Sequence, residues 1–152
     1  MESLRNRNDR EEVLGRVMAL RPDSTSRWGK MSAHQMVCHL NDSFLTAFGE
    51  KEVSPATSLF QRTVVKWIAL KTPLRWPPGV KTRPEVDQEI GGTRPVEFGR
   101  DVEALSRIVE RFAREPREFA WRPHPTFGVL TDEERMPWGY LHMDHHLRQF
   151  GS

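Results

Sequence analysis

The stretch Thr131–Phe150, TDEERMPWGYLHMDHHLRQF, carries the strongest structural signal in the chain. Thr131-Asp132-Glu133-Glu134 reads as a capping box: the threonine hydroxyl accepts from the amide three residues on, and Glu134 reaches back. Behind it, Met136, Tyr140, Met143, Leu147 and Phe150 recur at helical spacing and form one apolar stripe. The spacing predicts a helix to about Phe150, with Pro137 in its early part.

Other segments repeat the pattern. A helix is expected from about Arg10 to Leu20, with Val13, Leu14, Val17 and Leu20 inward, ended by Pro22 and a polar run. A second opens at the good N-cap Ser32 and stops at Gly49. A third is expected to begin near Ser54-Pro55, with Phe60, Val64, Trp67 and Ile68 as its apolar face. A fourth covers about Asp101 to Arg114, with Val102, Leu105, Ile108, Val109 and Phe112 inward and Pro116 as its stop. Between the third and fourth, residues 72–97 hold five prolines and three glycines. A break of that length within a compact domain is usually functional or a cover over a site. Strand-like alternation is scarce, so the expected fold is all-α, a helical bundle.

Size and composition agree. The 152 residues fit a single domain able to bury a real core, and 37% hydrophobic residues with eight Phe and five Trp argue against a disordered chain. No apolar run approaches the ~20 residues needed to span a bilayer, so no membrane role is expected. The charged start MESLRNRNDREE lacks the apolar core of a signal peptide. A lone cysteine, Cys38, forms no internal disulfide, and a cytoplasmic location is expected. The net charge of +2 gives nucleic-acid binding little support. Arg5, Arg7 and Arg10 are interrupted by acids and read as a solvated helix start.

The chemistry lies in the histidines. His142 and His146 stand about 40° apart on the last helix, one turn above the other, so both imidazoles can reach one divalent ion. His145 neighbours His142 on the other side, about 60° away, but only His146 borders the apolar stripe. Such a pair is also compatible with polar surface or hydrogen-bonded core residues, because a metal site needs a third ligand. The second helix offers His34 and His39 past opposite edges of its apolar arc, and geometry leaves both open. His124, fixed between Pro123 and Pro125, reads as a backbone-bonding loop residue. Cys38 reads as a small buried residue, Trp28 and Trp67 as packing aromatics, and Trp76 as a candidate pocket entrance. Asp144 should serve packing or a salt bridge.

The segments WGKMSAHQMVCHLNDS, PEVDQEIGGTRP, HPTFGVLTDEE and the ending HMDHHLRQF resemble the DinB-like superfamily, in particular a branch of uncharacterised bacterial proteins, over about residues 10–151. The resemblance implies a four-helix bundle with a long crossover connection. It also implies a divalent metal held by a second-helix histidine and the terminal pair, here His39, His142 and His146. Zinc or nickel would be the leading ions, with iron or manganese also accommodated by imidazoles. Three neutral imidazoles leave one coordination position open for water, a thiolate or a substrate oxygen. Asp42 and Gln149, each three residues beyond a ligand, are candidates to orient the rings, with helix-surface solvation as the plainer role. The implied function is a metal-dependent enzyme, a transferase using a low-molecular-weight thiol or a hydrolase, acting on a small molecule. The alternatives are a noncatalytic metal- or ligand-binding bundle and a purely structural one. Relatives of this kind often pair, so a homodimer is expected.

Overall fold

The computed structural model describes residues 1–152, and all regular elements are helical. They are α1 (Arg7–Met18), α2 (Ala33–Phe48), α3 (Lys66–Lys71), α4 (Phe98–Ala113) and α5 (Asp132–Gln149). A π-helical turn, Gln61–Val65, leads into α3, and a short 3-10 turn spans Pro84–Val86. The only β-type pairing is an isolated bridge between His124 and Gly128.

The caps set most boundaries. At α2, Ser32 Oγ accepts from Gln35 N–H at 3.1 Å, and Gln35 Oε1 accepts from Ser32 N–H at 2.9 Å. Gly49 ends α2 at φ +79°, where a side chain would strain the backbone and meet Arg122. Glu134 accepts from Thr131 N–H at 3.0 Å at the start of α5. Helix α1 starts earlier than expected because Asn6 caps the amides of Asn8 and Asp9. Helix α4 starts at Phe98 because the Glu97 carboxylate accepts from Gly99 and Arg100 N–H.

The helices α1, α4, α2 and α5 pack in that order around a closed square. Cross-contacts give their directions. Leu4 donates its N–H to the Met136 carbonyl and Arg16 pairs with Asp144, so α1 and α5 run parallel. Asn41 bonds Asp101 and Phe48 packs on Phe112, so α2 and α4 are parallel too. Arg10 pairs with Glu110, which makes α1 and α4 antiparallel. A short hairpin cannot join parallel neighbours. The chain therefore needs a crossover that returns along the whole bundle, and residues 50–97 supply it. The core joins Val13 and Val17 of α1, Met36, Leu40 and Phe44 of α2, Leu105, Val109 and Phe112 of α4, and Met143 and Leu147 of α5. Leu4, ahead of the first helix, is also fully buried there.

Three expectations need correction. The third helix does not begin at Ser54-Pro55. Ser58 and Gln61 form its capping interaction, Ser58 N–H to Gln61 Oε1 at 2.8 Å and Gln61 N–H to Ser58 Oγ at 3.2 Å. Its apolar face is not buried: Phe60 is 62% exposed and Trp67 61%, because the crossover lies outside the square and nothing covers its outer side. Trp67 is thus not a packing aromatic. Asp42 is not on a solvated surface either. It is 1% exposed and accepts from Thr93 N–H at 2.8 Å, Thr93 Oγ1 at 2.7 Å and Gln88 Nε2 at 3.1 Å, with Lys51 Nζ at 3.3 Å. The carboxylate clamps the crossover onto α2.

Other readings hold. Asp144 pairs with Arg16 and Arg148. Cys38 is buried and donates its thiol to Asp101 at 3.7 Å. The N-terminal arginines Arg5, Arg7 and Arg10 pair with Glu115, Glu11 and Glu110.

Candidate metal centre

α2 and α5 run antiparallel side by side, which brings His39 opposite His142 and His146. One ligand-type atom from each of the three lies within 4.8 Å of the others. The Nε2 atoms of His39 and His142 are 3.3 Å apart, and the ring centroids of His39 and His146 are 4.7 Å apart. Their neighbours fix two of the three rings. His39 Nδ1–H donates to the Val86 carbonyl at 2.9 Å, in the 3-10 turn of the crossover. His146 Nδ1–H donates to Gln149 Oε1 at 3.1 Å, and the Gln149 amide in turn donates to the Trp28 carbonyl at 2.8 Å. Both rings therefore carry their proton on Nδ1 and present a bare Nε2 lone pair to the centre. His142 Nδ1 is buried with no partner.

Electrostatics keep the cluster neutral. Burial pushes the His39 pKa down against the opposing Val86 hydrogen bond. Burial, then the neighbouring histidines, hold His142 and His146 well below the usual imidazole value. Unprotonated imidazole is the form that binds a metal.

The cluster lies on a cavity of about 660 Å³ between α2, α5 and the crossover. Trp76, from the proline-rich break, lines it and packs 6.2 Å from both the His142 and His145 rings, with its indole N–H held by the Ala69 carbonyl at 3.0 Å. The break is thus a wall of the site. His145 differs from expectation. Rather than leaving the helix on a far side, it is 8% exposed and lines the cavity between Trp28 and Trp76. The apolar arc of α5 alone does not show this, because the crossover and the chain before α2 cover the other flank. Of the two orienting candidates, Gln149 contacts His146 directly. Asp42 does not touch His39 and acts at a distance, by holding Gln88 and Thr93 close to the Val86 turn.

His34 points away from the three and donates from Nε2 to Asp101 at 2.6 Å. His34, Cys38 and Asp101 form a second cluster of ligand-type groups. That cluster is a poor metal site. The 2.6 Å contact is a direct charge-assisted hydrogen bond, shorter than two ligand atoms on one ion would sit. Burial, followed by the Asp101 charge, pushes the Cys38 thiol up to about 12, away from the thiolate a metal needs.

His124 is the backbone-bonding residue expected: its Nδ1 accepts from the N–H groups of Thr126 and Phe127, both at 3.1 Å. It also lines the cavity, stacked on Phe127 and edge-on to Trp138. Arg135 is a cavity residue that sequence reading missed. The available signal was spacing: Arg135, Trp138 and His142 follow at i, i+3 and i+7, one face of one helix.

No helix is long and apolar enough to cross a membrane. Comparison with curated proteins and with solved structures yields no match. A family model covers residues 2–152, and the chain accordingly belongs to the family described as Protein of unknown function (DUF1569).

Proposed function

We propose that this chain is a divalent-metal-binding protein of the DinB-like type, with His39, His142 and His146 as ligands and one coordination position open to the cavity. The observation that carries this reading is the 3.3 Å separation of the His39 and His142 Nε2 atoms, with the Val86 carbonyl and Gln149 turning the Nε2 lone pairs of His39 and His146 inward. Two nitrogens on a tetrahedral ion with bonds of about 2.0–2.1 Å sit about 3.3 Å apart. The resemblance implies a four-helix bundle with a long crossover connection, and the square of α1, α4, α2 and α5 with its crossover over residues 50–97 supports the assignment. Zinc or nickel fits best, and three imidazoles also accept iron or manganese.

We further propose a metal-dependent enzyme acting on a small molecule, as a transferase using a low-molecular-weight thiol or as a hydrolase. When bound, the ion supplies Lewis-acid polarisation and lowers the pKa of a water or thiol at its open position. The protein's own residues do the rest. Val86 and Gln149 orient the rings, and Trp76 and His145 wall the site. The apolar lining limits water around the reacting groups.

The test is metal content and thermal unfolding of single variants. His39→Ala, His142→Ala and His146→Ala should each cost at least ~10–100-fold in metal affinity, the usual loss for an orienting neighbour alone. His34→Ala, outside the cluster, and His145→Ala, a wall residue, should retain the ion. Metal content equal to wild type in the His142 and His146 variants would sink the site, and loss in the His145 variant would reassign the pair. Turnover of an electrophile with a thiol, present in wild type and absent in the ligand variants, separates an enzyme from a binding protein.

A homodimer is also proposed, supported by the uncovered Leu59, Phe60 and Trp67 on the crossover. A specific pair buries on the order of 1,200 Å² or more. Light scattering that gives a monomer at every accessible concentration would rule it out.

A further inference from the structure

Arg135 is 1% exposed and lines the cavity, yet it has no carboxylate partner. The acids beside it in sequence are engaged elsewhere: Asp132 with Arg117 at 2.7 Å and Glu134 with Lys66 at 3.0 Å. Its guanidinium donates to the Arg122 carbonyl and lies over the Trp121 ring at 5.0 Å, while its Nε is buried with no hydrogen-bond partner. Asp132 and Glu134 still favour its charge from a distance, against the burial that opposes it, but neither makes a direct ion pair, and a buried charge without one is expensive unless something else compensates it.

His124 supplies a second donor at the same end of the cavity. Because its Nδ1 accepts two backbone N–H bonds, a neutral ring must carry its proton on Nε2. The nearby Arg135 charge adds to burial in holding this ring neutral, with its pKa lowered to about 3. The cavity itself is one-sided in charge. Arg75, Lys81, Arg83 and Arg135 line it, and no aspartate or glutamate does. Arg75 and Lys81 are exposed and make no ion pair.

We infer that Arg135 and His124 form an anion subsite, and that the cavity takes a small organic carboxylate carried on an apolar chain. Val65, Ala69, Trp76, Phe127 and Trp138 would wall that chain. Along α5, Arg135 lies two turns, or a rise of about 10 Å, before His142. A molecule of that span can place its carboxylate on the guanidinium and its other end at the three histidines. What binds at that other end rests on the metal reading; the anion subsite does not.

The experiment compares octanoate with its neutral analogue octanamide, by calorimetry, on metal-free protein, so that no ion can hold the carboxylate. Octanoate should bind at least ~10-fold tighter, as a charge-assisted contact in a dry pocket implies. Arg135→Met should abolish the preference, and Arg135→Lys should keep part of it. Equal binding of the two probes to wild type, or no binding of either, would overturn the inference whether or not the variants fold. A preference lost in Arg75→Ala/Lys81→Ala and kept in Arg135→Met would overturn it as well, by placing the anion at the rim. In a second arm, cobalt-loaded protein is titrated with ω-mercapto-octanoate, and the cobalt absorption reports thiolate ligation. Failure to load cobalt with the octanoate preference intact would discard the metal reading and leave the subsite standing. Loading without any carboxylate preference would do the reverse.

Discussion

Replacing Asp42 tests whether the crossover, rather than α2 itself, positions His39. The carboxylate is 1% exposed and holds Thr93 by two hydrogen bonds, Gln88 by one and Lys51 by an ion pair. Asp42→Ala removes all of these and strands at least one buried donor, since Gln88 is only 4% exposed. Breaking a buried charged contact from one side costs about 3–5 kcal/mol. For a domain of this length that is a fall in Tm on the order of 10 °C. Asp42→Asn should be milder. Its carbonyl can still accept from the Thr93 and Gln88 N–H groups, and its amide can donate to the Thr93 hydroxyl. The loss is then mainly charge assistance and the Lys51 pair, about 1–2 kcal/mol. Both variants should weaken metal binding by releasing the turn whose Val86 carbonyl fixes the His39 ring, with ~10–100-fold for the alanine. Chemical denaturation and metal titration on the same samples measure the two effects. Asp42→Ala that unfolds as expected but binds metal as tightly as wild type would refute the link from Asp42 through Val86 to His39. A stability loss below about 1 kcal/mol would refute the clamp itself.

Two further substitutions probe the bundle. Gly139 sits mid-helix, where alanine would ordinarily be preferred by about 1 kcal/mol. A Cβ there would meet Leu4 Cδ1 at 2.6 Å, Phe112 at 3.2 Å and Phe44 at 3.3 Å, so Gly139→Ala should instead destabilise by about 1–3 kcal/mol in denaturant unfolding. A stabilised variant would show that these neighbours yield freely. At Asp101, burial acts to raise the pKa, but hydrogen bonds from His34 and Val96 outweigh it and hold the carboxyl below its usual value. A depressed folded pKa means stability present above the unfolded value of about 3.9 and lost as pH falls through the folded one. Asp101→Asn should therefore be less stable than wild type at neutral pH, by about 1–2 kcal/mol, and the gap should close in strong acid. A gap unchanged between neutral pH and pH about 2 would contradict that linkage.

The features legible in the sequence are local. Ser32, Thr131 with Glu134, and Gly49 mark helix ends because capping acts within a turn. The apolar periodicity of α2, α4 and α5 identifies their buried faces because side-chain direction repeats every 3.6 residues. The His142–His146 pair is legible for the same reason. Periodicity does not say whether anything covers a face, so the apolar row from Phe60 to Ile68 reads as a buried stripe although the crossover leaves it in solvent. The tertiary structure alone decided the rest, through contacts between residues far apart in the chain. It set His39 against His142, gave Asp42 its partners 46 and 51 residues away, and covered His145 with Trp76. It also buried Arg135, whose charge would place it at the surface in any sequence reading, because the Arg122 carbonyl and the Trp121 ring close over it. Such pairings depend on how the crossover folds back over the bundle, and no short-range pattern encodes that path.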